Sequence, residues 1–434
     1  MRSDAEQVAT LPTDWRHLCA SYRLGPRGVQ HRATLHGPME TPLPLAGIRV
    51  LDCSRVYAGP IASMLLGDLG AEIWKVEPPA GDETRGWGPP YWGDPADRRS
   101  AYFASVNRNK RSIVINLKTD AGRALLDRLA AQCDLLMHNY QPSVAQRLGL
   151  DGDRLREMHP HLVVSTVAGF PGGGDAAERP AYDLVAQATS GLMAVTGDPE
   201  GWPMKVGVAL LDLAAGLQAA IGALAGLLGR ERGVTTIGTQ ASVSLIESGV
   251  AALTNVLGHH LATGEEPRRW GIAHPDIVPY QVFAARDGHL VLAVGNDSQF
   301  ERLLHVLDLP ADPRFATNPE RLATRDELVP LLASRIAERG RDELLAAFMD
   351  ADVPAGPVNQ VSEALAAMEA AHDGAWVQER DGMRLAPDPM LFDSGRLPLR
   401  LAPPKLGEHT DEILGEAGLE AAEIADLRSG GAIA

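Results

Sequence analysis

Residues 45–76 read LAGIRVLDCSRVYAGPIASMLLGDLGAEIWKV, and this stretch decides the fold. Gly47 to Cys53 is a short apolar run that predicts a buried strand, and Ala58-Gly59-Pro60 is a turn. Ile61 to Leu69 has helical spacing with proline at its first turn, and Ala71 to Val76 predicts a second strand. Together they make a β-α-β opening of the doubly wound kind. The alternation continues outward. Ser112 to Leu117 is strand-like, and Leu125, Leu126, Leu129 and Cys133 line one helix face. Leu135 to His138 and Leu162 to Val167 are further short apolar runs, and a long Ala/Leu/Gly-rich helix follows Asp212. Small residues over so much of that helix predict packing on several sides.

The pattern changes after about residue 265. Tyr280 to Ala285 and His289 to Val294 flank Arg286-Asp287-Gly288, a hairpin signal, and helical segments follow through about residue 370. The chain has 434 residues, too long for one compact core. The tail from Ala386 to Glu408 is rich in Pro and Gly and precedes a short acidic helix, Thr410 to Gly415. Residues 1–45 show no sustained period and read as an extension.

Composition is that of a globular protein: 45% hydrophobic and 22% charged. A net charge of −16 argues against general nucleic-acid binding but leaves anionic small molecules open. The stretch 98–111 (RRSAYFASVNRNKR) gathers Arg98, Arg99, Arg108, Lys110 and Arg111 with no acid between them; by charge alone it reads as a solvated face. Three distant cysteines without a CxxC pair indicate neither a disulfide framework nor a zinc site, and a reducing compartment is expected. No apolar run reads as long enough to cross a membrane, and the first residues lack an apolar signal core. A cytoplasmic location is expected.

Several motifs are missing. There is no GxGxxG after the first strand, no Walker loop, no HExxH and no GxSxG. Dinucleotide, metal and serine chemistry therefore lack support, and Gly172-Gly173-Gly174 reads as a surface loop. Two aspartates stand before helical runs: Asp183 in PAYD and Asp212 in VALLD. Helix capping and an oriented reactive carboxylate use the same geometry, and by position alone both aspartates read as caps.

The ordered motifs LAGIRVLDCSRVYAGP, MLLGDLGAEIWKVEPP, GDETRGWGPP, VNRNKRSIVINLK, RPAYDLVAQATSGLM, GVALLDLAAG and PPKLGEHTDEIL resemble the family III CoA-transferases from about Leu45 to Leu427. That family includes formyl-CoA transferase, carnitine CoA-transferase and the 2-methylacyl-CoA racemases. RGWGPPYWG, RRWGIAHPDIVPYQVF and VGNDSQF are most similar to its succinyl-CoA-dependent branch acting on glutarate or hydroxymethylglutarate. The resemblance implies an α/β fold: a Rossmann-like large domain and a smaller α+β domain, in an interlocked, ring-shaped homodimer. The corresponding divisions are an extension at 1–45, a large CoA-binding domain at 46–242, a linker helix at 243–272, a small domain at 273–370 and a return segment at 371–434.

The resemblance further implies that Asp212 is the nucleophile, ionised at neutral pH, and that Asp183 supports it. Tyr57, Ala58, Leu117, Lys118, Asn139, Tyr140, Gln141 and Arg147 match the CoA-binding positions. The anionic groups of CoA also give the 98–111 cluster a rationale. Arg85, Arg108, Arg269 and His274 become candidates for a substrate's distal carboxylate. No ATP, metal or other cofactor is implied beyond CoA or acyl-CoA as substrate, and no nucleic-acid or membrane partner. Two departures stand out: Pro78 replaces an arginine found in some members, and Phe170-Pro171-Gly172-Gly173-Gly174 replaces a GxGQxGP loop. Tyr182 occupies the place of the racemases' histidine, which favours transfer over two-base proton exchange. Racemase activity and non-catalytic CoA binding are the alternatives.

Overall fold

The structure, a computed structural model, describes residues 42–94, 97–235 and 238–434. The extension expected at 1–45 lies outside the described residues except for 42–45. The chain forms two compact units. The larger contains residues 42–193, Lys205–Pro267 and Val377–Ala434; the smaller contains Ala194–Met204 and Arg268–Trp376.

A six-stranded sheet organises the larger unit. Its strands are β1 (Arg49–Asp52), β2 (Glu72–Glu77), β3 (Lys110–Val114), β4 (Leu135–His138), β5 (Val163–Ala168) and β6 (Gln240–Ser244). They lie in the order 3-2-1-4-5-6, and every pair is parallel. This is the doubly wound order, with the topological switch between β1 and β4. β6 ends at Ser244.

Side chains alternate across the sheet, as a sheet covered on both faces requires. Val50, Ile73, Leu135, Met137 and Val163 face α1 (Ala58–Asp68) and α5 (Leu210–Glu231). Leu51, Trp74, Ile113, Leu136 and Val164 face α2 (Asp120–Ala130), α3 (Pro142–Leu148) and the C-terminal helices Thr410–Glu416 and Ala421–Ser429.

The long helix α5 has 22 residues, and an 18-residue window of it reaches a mean hydropathy of 1.7. By length and composition it could cross a membrane, so the expectation that no run was long enough is corrected. Its inner face, Leu211, Ala215, Ala219, Ala223 and Leu227, packs into the sheet core. Glycines allow that approach: a Cβ on Gly216 would lie 2.1 Å from Ile61 Cγ2 and 2.7 Å from the Ala58 carbonyl oxygen. Its outer face leaves Leu217, Ile221 and Leu228 exposed.

In the smaller unit, Tyr280–Ala285 and Gly288–Ala293 form the expected hairpin, and Ala355–Pro357 adds a third antiparallel strand. Helices Asp297–Val306, Arg325–Ala337 and Arg341–Asp350 cover this sheet around Phe283, Leu292, Phe300, Leu332 and Phe348.

Candidate active site

The cleft forms where an open α/β sheet leaves space, at the carboxyl ends of the strands flanking the switch point. The turn after β1 is its first wall, and almost every backbone polar group there is gripped. Asn139, just after β4, accepts from the Arg55 amide (2.9 Å) and donates to the Arg55 carbonyl (2.7 Å). The Val56 amide donates to Asp82 (3.2 Å), and Lys75 Nζ donates to the Ser54 carbonyl (3.1 Å). Val56 thus sits at φ +69°, a strained position for a β-branched residue. Gly59 follows because no side chain fits: a Cβ there would lie 2.3 Å from Ser54 Cβ. Tyr57 caps α1 and turns its ring into the cleft.

Beneath the turn lies a fully buried ionic cluster. Lys75 pairs with Asp82 at 3.1 Å and Lys110 with Asp52 at 3.2 Å, all four side chains without solvent exposure. Lys110 also donates to the Pro60 carbonyl (2.8 Å) and to Asn107 (2.9 Å). Burial lowers Lys110 to about 8 despite Asp52 beside it.

Asp212 forms the opposite wall. It lies in the first turn of α5, half-buried, and its carboxylate takes no hydrogen bond from a described residue. Asp183, the first residue of α4 (Asp183–Thr189), caps α5 instead: its Oδ1 accepts from the amides of Leu211 (2.8 Å) and Asp212 (3.2 Å). Buried Gln187 ties Asp183 to the segment leading into α5 by donating to Asp183 and to the Val208 carbonyl while accepting from the Val206 amide (2.8 Å).

Burial, with the negative charge of Asp183 adding to it, pushes the Asp212 carboxyl up to about 7. Ionisation at neutral pH is the expectation for this carboxyl, and burial beside a second carboxylate works against it. Burial and then Asp212 push Tyr102 up to about 12 and also raise Tyr57. The rings of Tyr57 and Tyr102 are 5.7 Å apart, and Trp87 packs on Tyr102 at 4.9 Å.

Asp212 lines a cavity of about 270 Å³ together with Tyr57, Ala58, Asn139, Tyr140, Gln141, Arg179 and Tyr182. A second cavity of about 940 Å³ is lined by Leu117, Lys118, Arg123, Tyr140 and Arg147, and shares Arg55, Glu83, Tyr140 and Val144 with the first. Lys118, Arg147 and Arg55 have no carboxylate partner among the described residues. Anionic and apolar moieties both suit its walls, since Ile115, Leu117, Val76 and Leu148 line it as well. Every CoA-binding position carried by resemblance therefore borders one of two adjoining cavities. Among the described residues, no three of His, Cys, Asp and Glu are placed to hold a metal ion.

Of the residues expected at a distal carboxylate, Arg85 and Arg108 belong to the larger unit and line neither of these two cavities. Arg85 is engaged by Glu77 (2.6 and 2.7 Å) and the Pro404 carbonyl (2.9 Å). Arg108 is buried against Asp68 (2.6 Å). On the smaller unit, Arg269 donates to the carbonyls of Asp198 (2.9 Å) and Gly201 (2.8 Å), and His274 packs on Tyr280 while accepting from the Asp276 amide (3.0 Å). Nor does the 98–111 cluster line either cavity, which corrects the rationale given to it. Arg108 and Lys110 are buried in ion pairs, and Arg111 binds Glu72, Glu412 and Glu416. The cations that line the cavities besides Lys118 and Arg147, namely Arg55, Arg123 and Arg179, are scattered in sequence, as are Tyr102 and Gln187. Arg55 sits inside the SRVYAGP turn and Gln187 one helical turn after Asp183, the two signals that spacing offered.

The CoA-transferase family III pattern matches residues 45–410, and the chain belongs to this family of enzymes. It is 40% identical over 381 residues to the succinyl-CoA:glutarate CoA-transferase of Mus musculus, covering 86% of each chain. It is 38% identical over 383 residues to the succinate–glutarate CoA-transferase of Agrobacterium fabrum, covering 86% of this chain and 95% of that one. A solved CAIB/BAIF family protein from Brucella suis has a TM-score of 0.77 at 37% identity, covering 87% of this chain and all 100% of that one.

Proposed function

We propose that this chain moves CoA from succinyl-CoA or a similar donor to a small dicarboxylate by way of adducts on Asp212. The observation that carries the reading is the Asp212 carboxylate, free of described hydrogen-bond partners, in a small cavity that adjoins a larger cationic one. The larger cavity takes the nucleotide of CoA through Lys118, Arg147 and Leu117, and Tyr57, Ala58, Asn139, Tyr140 and Gln141 guide the pantetheine toward Asp212. The names of the similar transferases support a dicarboxylate substrate.

The steps balance without a further reagent. The Asp212 carboxylate attacks the thioester carbonyl, forming a mixed anhydride and releasing the CoA thiolate. The thiolate attacks the aspartyl carbonyl, releasing the donor acid as its carboxylate and leaving an aspartyl-CoA thioester. The acceptor carboxylate then attacks that thioester, and the thiolate released captures the acceptor's acyl carbon, restoring Asp212. Asp183 holds the α5 amides, so Asp212 keeps its direction throughout. Tyr182 borders the cavity where a racemase would need a proton-exchanging base, which supports transfer over racemisation.

The homodimer belongs to the same proposal. Leu217, Ile221 and Leu228 on the outer face of α5 form an apolar stripe that a second copy would cover. A stable monomer in light scattering would rule it out.

The reaction itself is tested by incubating the protein with succinyl-CoA and hydroxylamine and locating any hydroxamate by peptide mass. Modification at Asp212 is expected; an unmodified Asp212 with transfer intact would sink the mechanism.

A further inference from the structure

The Asp212 cavity already holds two carboxylates, Asp212 and Glu83. An acid bearing a second negative charge would be repelled there unless a cation met that charge. With Arg85 and Arg108 engaged in ion pairs, two guanidiniums remain in the lining of this cavity, those of Arg55 and Arg179. They are placed differently. Arg55 borders both cavities and lies over the Tyr140 ring at 4.7 Å, at the neck between them. Arg179 borders only the cavity of Asp212.

We propose that Arg179 is the specificity-determining residue that binds the distal carboxylate of the acyl group or acid at Asp212. The inference rests on the transferase reading above and names which charge on the substrate the site recognises. The Arg179 guanidinium carbon lies over buried Phe170, 4.1 Å from the ring centroid, and the arginine is exposed to solvent. It makes no ion pair or side-chain hydrogen bond with a described residue.

The neighbouring acid is held elsewhere. The Glu178 carboxylate accepts from the Ser143 amide (2.8 Å) and hydroxyl (2.7 Å), and its carbonyl accepts from Gln141 (2.9 Å). That anchoring also fixes the backbone beneath Arg179, whose own amide donates to Ala176 (3.2 Å). A planar fork resting on a ring and without a described partner can meet a carboxylate bidentately. A volume of about 270 Å³ suits a short acyl chain and is too small for the nucleotide as well.

The test compares Arg179→Met, Arg179→Lys and Arg55→Met with the unmodified enzyme. Affinities for succinyl-CoA and butyryl-CoA are measured by calorimetry, and kcat/KM for glutarate and butyrate as acceptors by transfer assay. The unmodified enzyme is expected to prefer the doubly charged member of each pair. Arg179→Met should lower that preference on the order of 10²-fold, Arg179→Lys should restore part of it, and Arg55→Met should weaken both acyl-CoAs alike. An unmodified enzyme without the preference, an unchanged ratio in Arg179→Met, or a ratio controlled by Arg55 overturns the inference. Should no acid accept CoA while Arg179→Met still abolishes the succinyl-CoA preference, the transferase reading fails and the charge-recognising role of Arg179 stands.

Discussion

Asp183 caps the helix that carries Asp212, so the two acids sit together for a structural reason before any chemical one. One Asp183 oxygen accepts the amides of both Leu211 and Asp212, and the negative charge it brings helps burial to raise the Asp212 carboxyl. The cap therefore orients the proposed nucleophile and disfavours its ionisation at once.

That coupling sets a pH profile. In the proposed mechanism attack requires the ionised carboxylate, and burial pushes the Asp212 carboxyl up to about 7. kcat/KM for transfer should fall about tenfold for each pH unit below that value, and level off above it. A profile flat down to pH 5 would show that the Asp212 carboxyl is not raised.

The same shift predicts a stability effect. A carboxyl whose folded pKa lies above its unfolded value of about 3.9 favours the fold while protonated, and that contribution is lost as pH rises toward 7. Asp212→Asn should therefore unfold at a higher temperature than the unmodified protein at pH 8, with the gap closing toward pH 4. Calorimetric melting across this range measures it, and the variant should have no transfer activity.

Removing the cap should separate its two effects. Asp183→Ala leaves the Leu211 and Asp212 amides without their acceptor and should cost about 1 kcal/mol of stability in urea titrations. It also removes a negative neighbour, so the kinetic pKa should move down while kcat falls. Asp183→Asn keeps an acceptor and should recover most of the stability but not the original pKa.

Gly216 supplies a steric test. A methyl group there meets Ile61 and the Ala58 carbonyl, so α5 must back away from α1. Gly216→Ala should destabilise by about 1–3 kcal/mol, and should lower kcat more than it weakens CoA binding, because Asp212 moves relative to Tyr57. Gly229→Ala, on the same helix with only Thr235 Oγ1 at 4.0 Å, is the control.

How far the sequence could be read depended on the range of the interactions. Strands such as Leu135 to His138 declared themselves because burial on both sheet faces leaves an unbroken apolar run. Asp212 was visible at the head of a helix. Asp183 as the cap of that helix was not, since the bond joins segments whose spacing follows no local period. The 98–111 run misled for the same reason. A row of cations reads as one charged face, yet Arg108 pairs with Asp68, Lys110 with Asp52 and Arg111 with Glu416, partners supplied by α1, the sheet and a C-terminal helix. Arg179, isolated in sequence, became legible only once Glu178 was seen turned toward Ser143.

Asp52, Lys75, Asp82 and Lys110 come from two adjoining strands, a loop and the start of a third strand, yet each satisfies the others only when all are in place. An intermediate lacking any one of them would strand an uncompensated charge in a dry interior, at about 3–5 kcal/mol. Partly assembled sheets are thus penalised, and the central strands should appear together or not at all. Lys75→Met should blunt this cooperativity as well as lower stability, seen as a shallower urea transition in which the fluorescence of buried Trp74 and the helical circular dichroism no longer coincide.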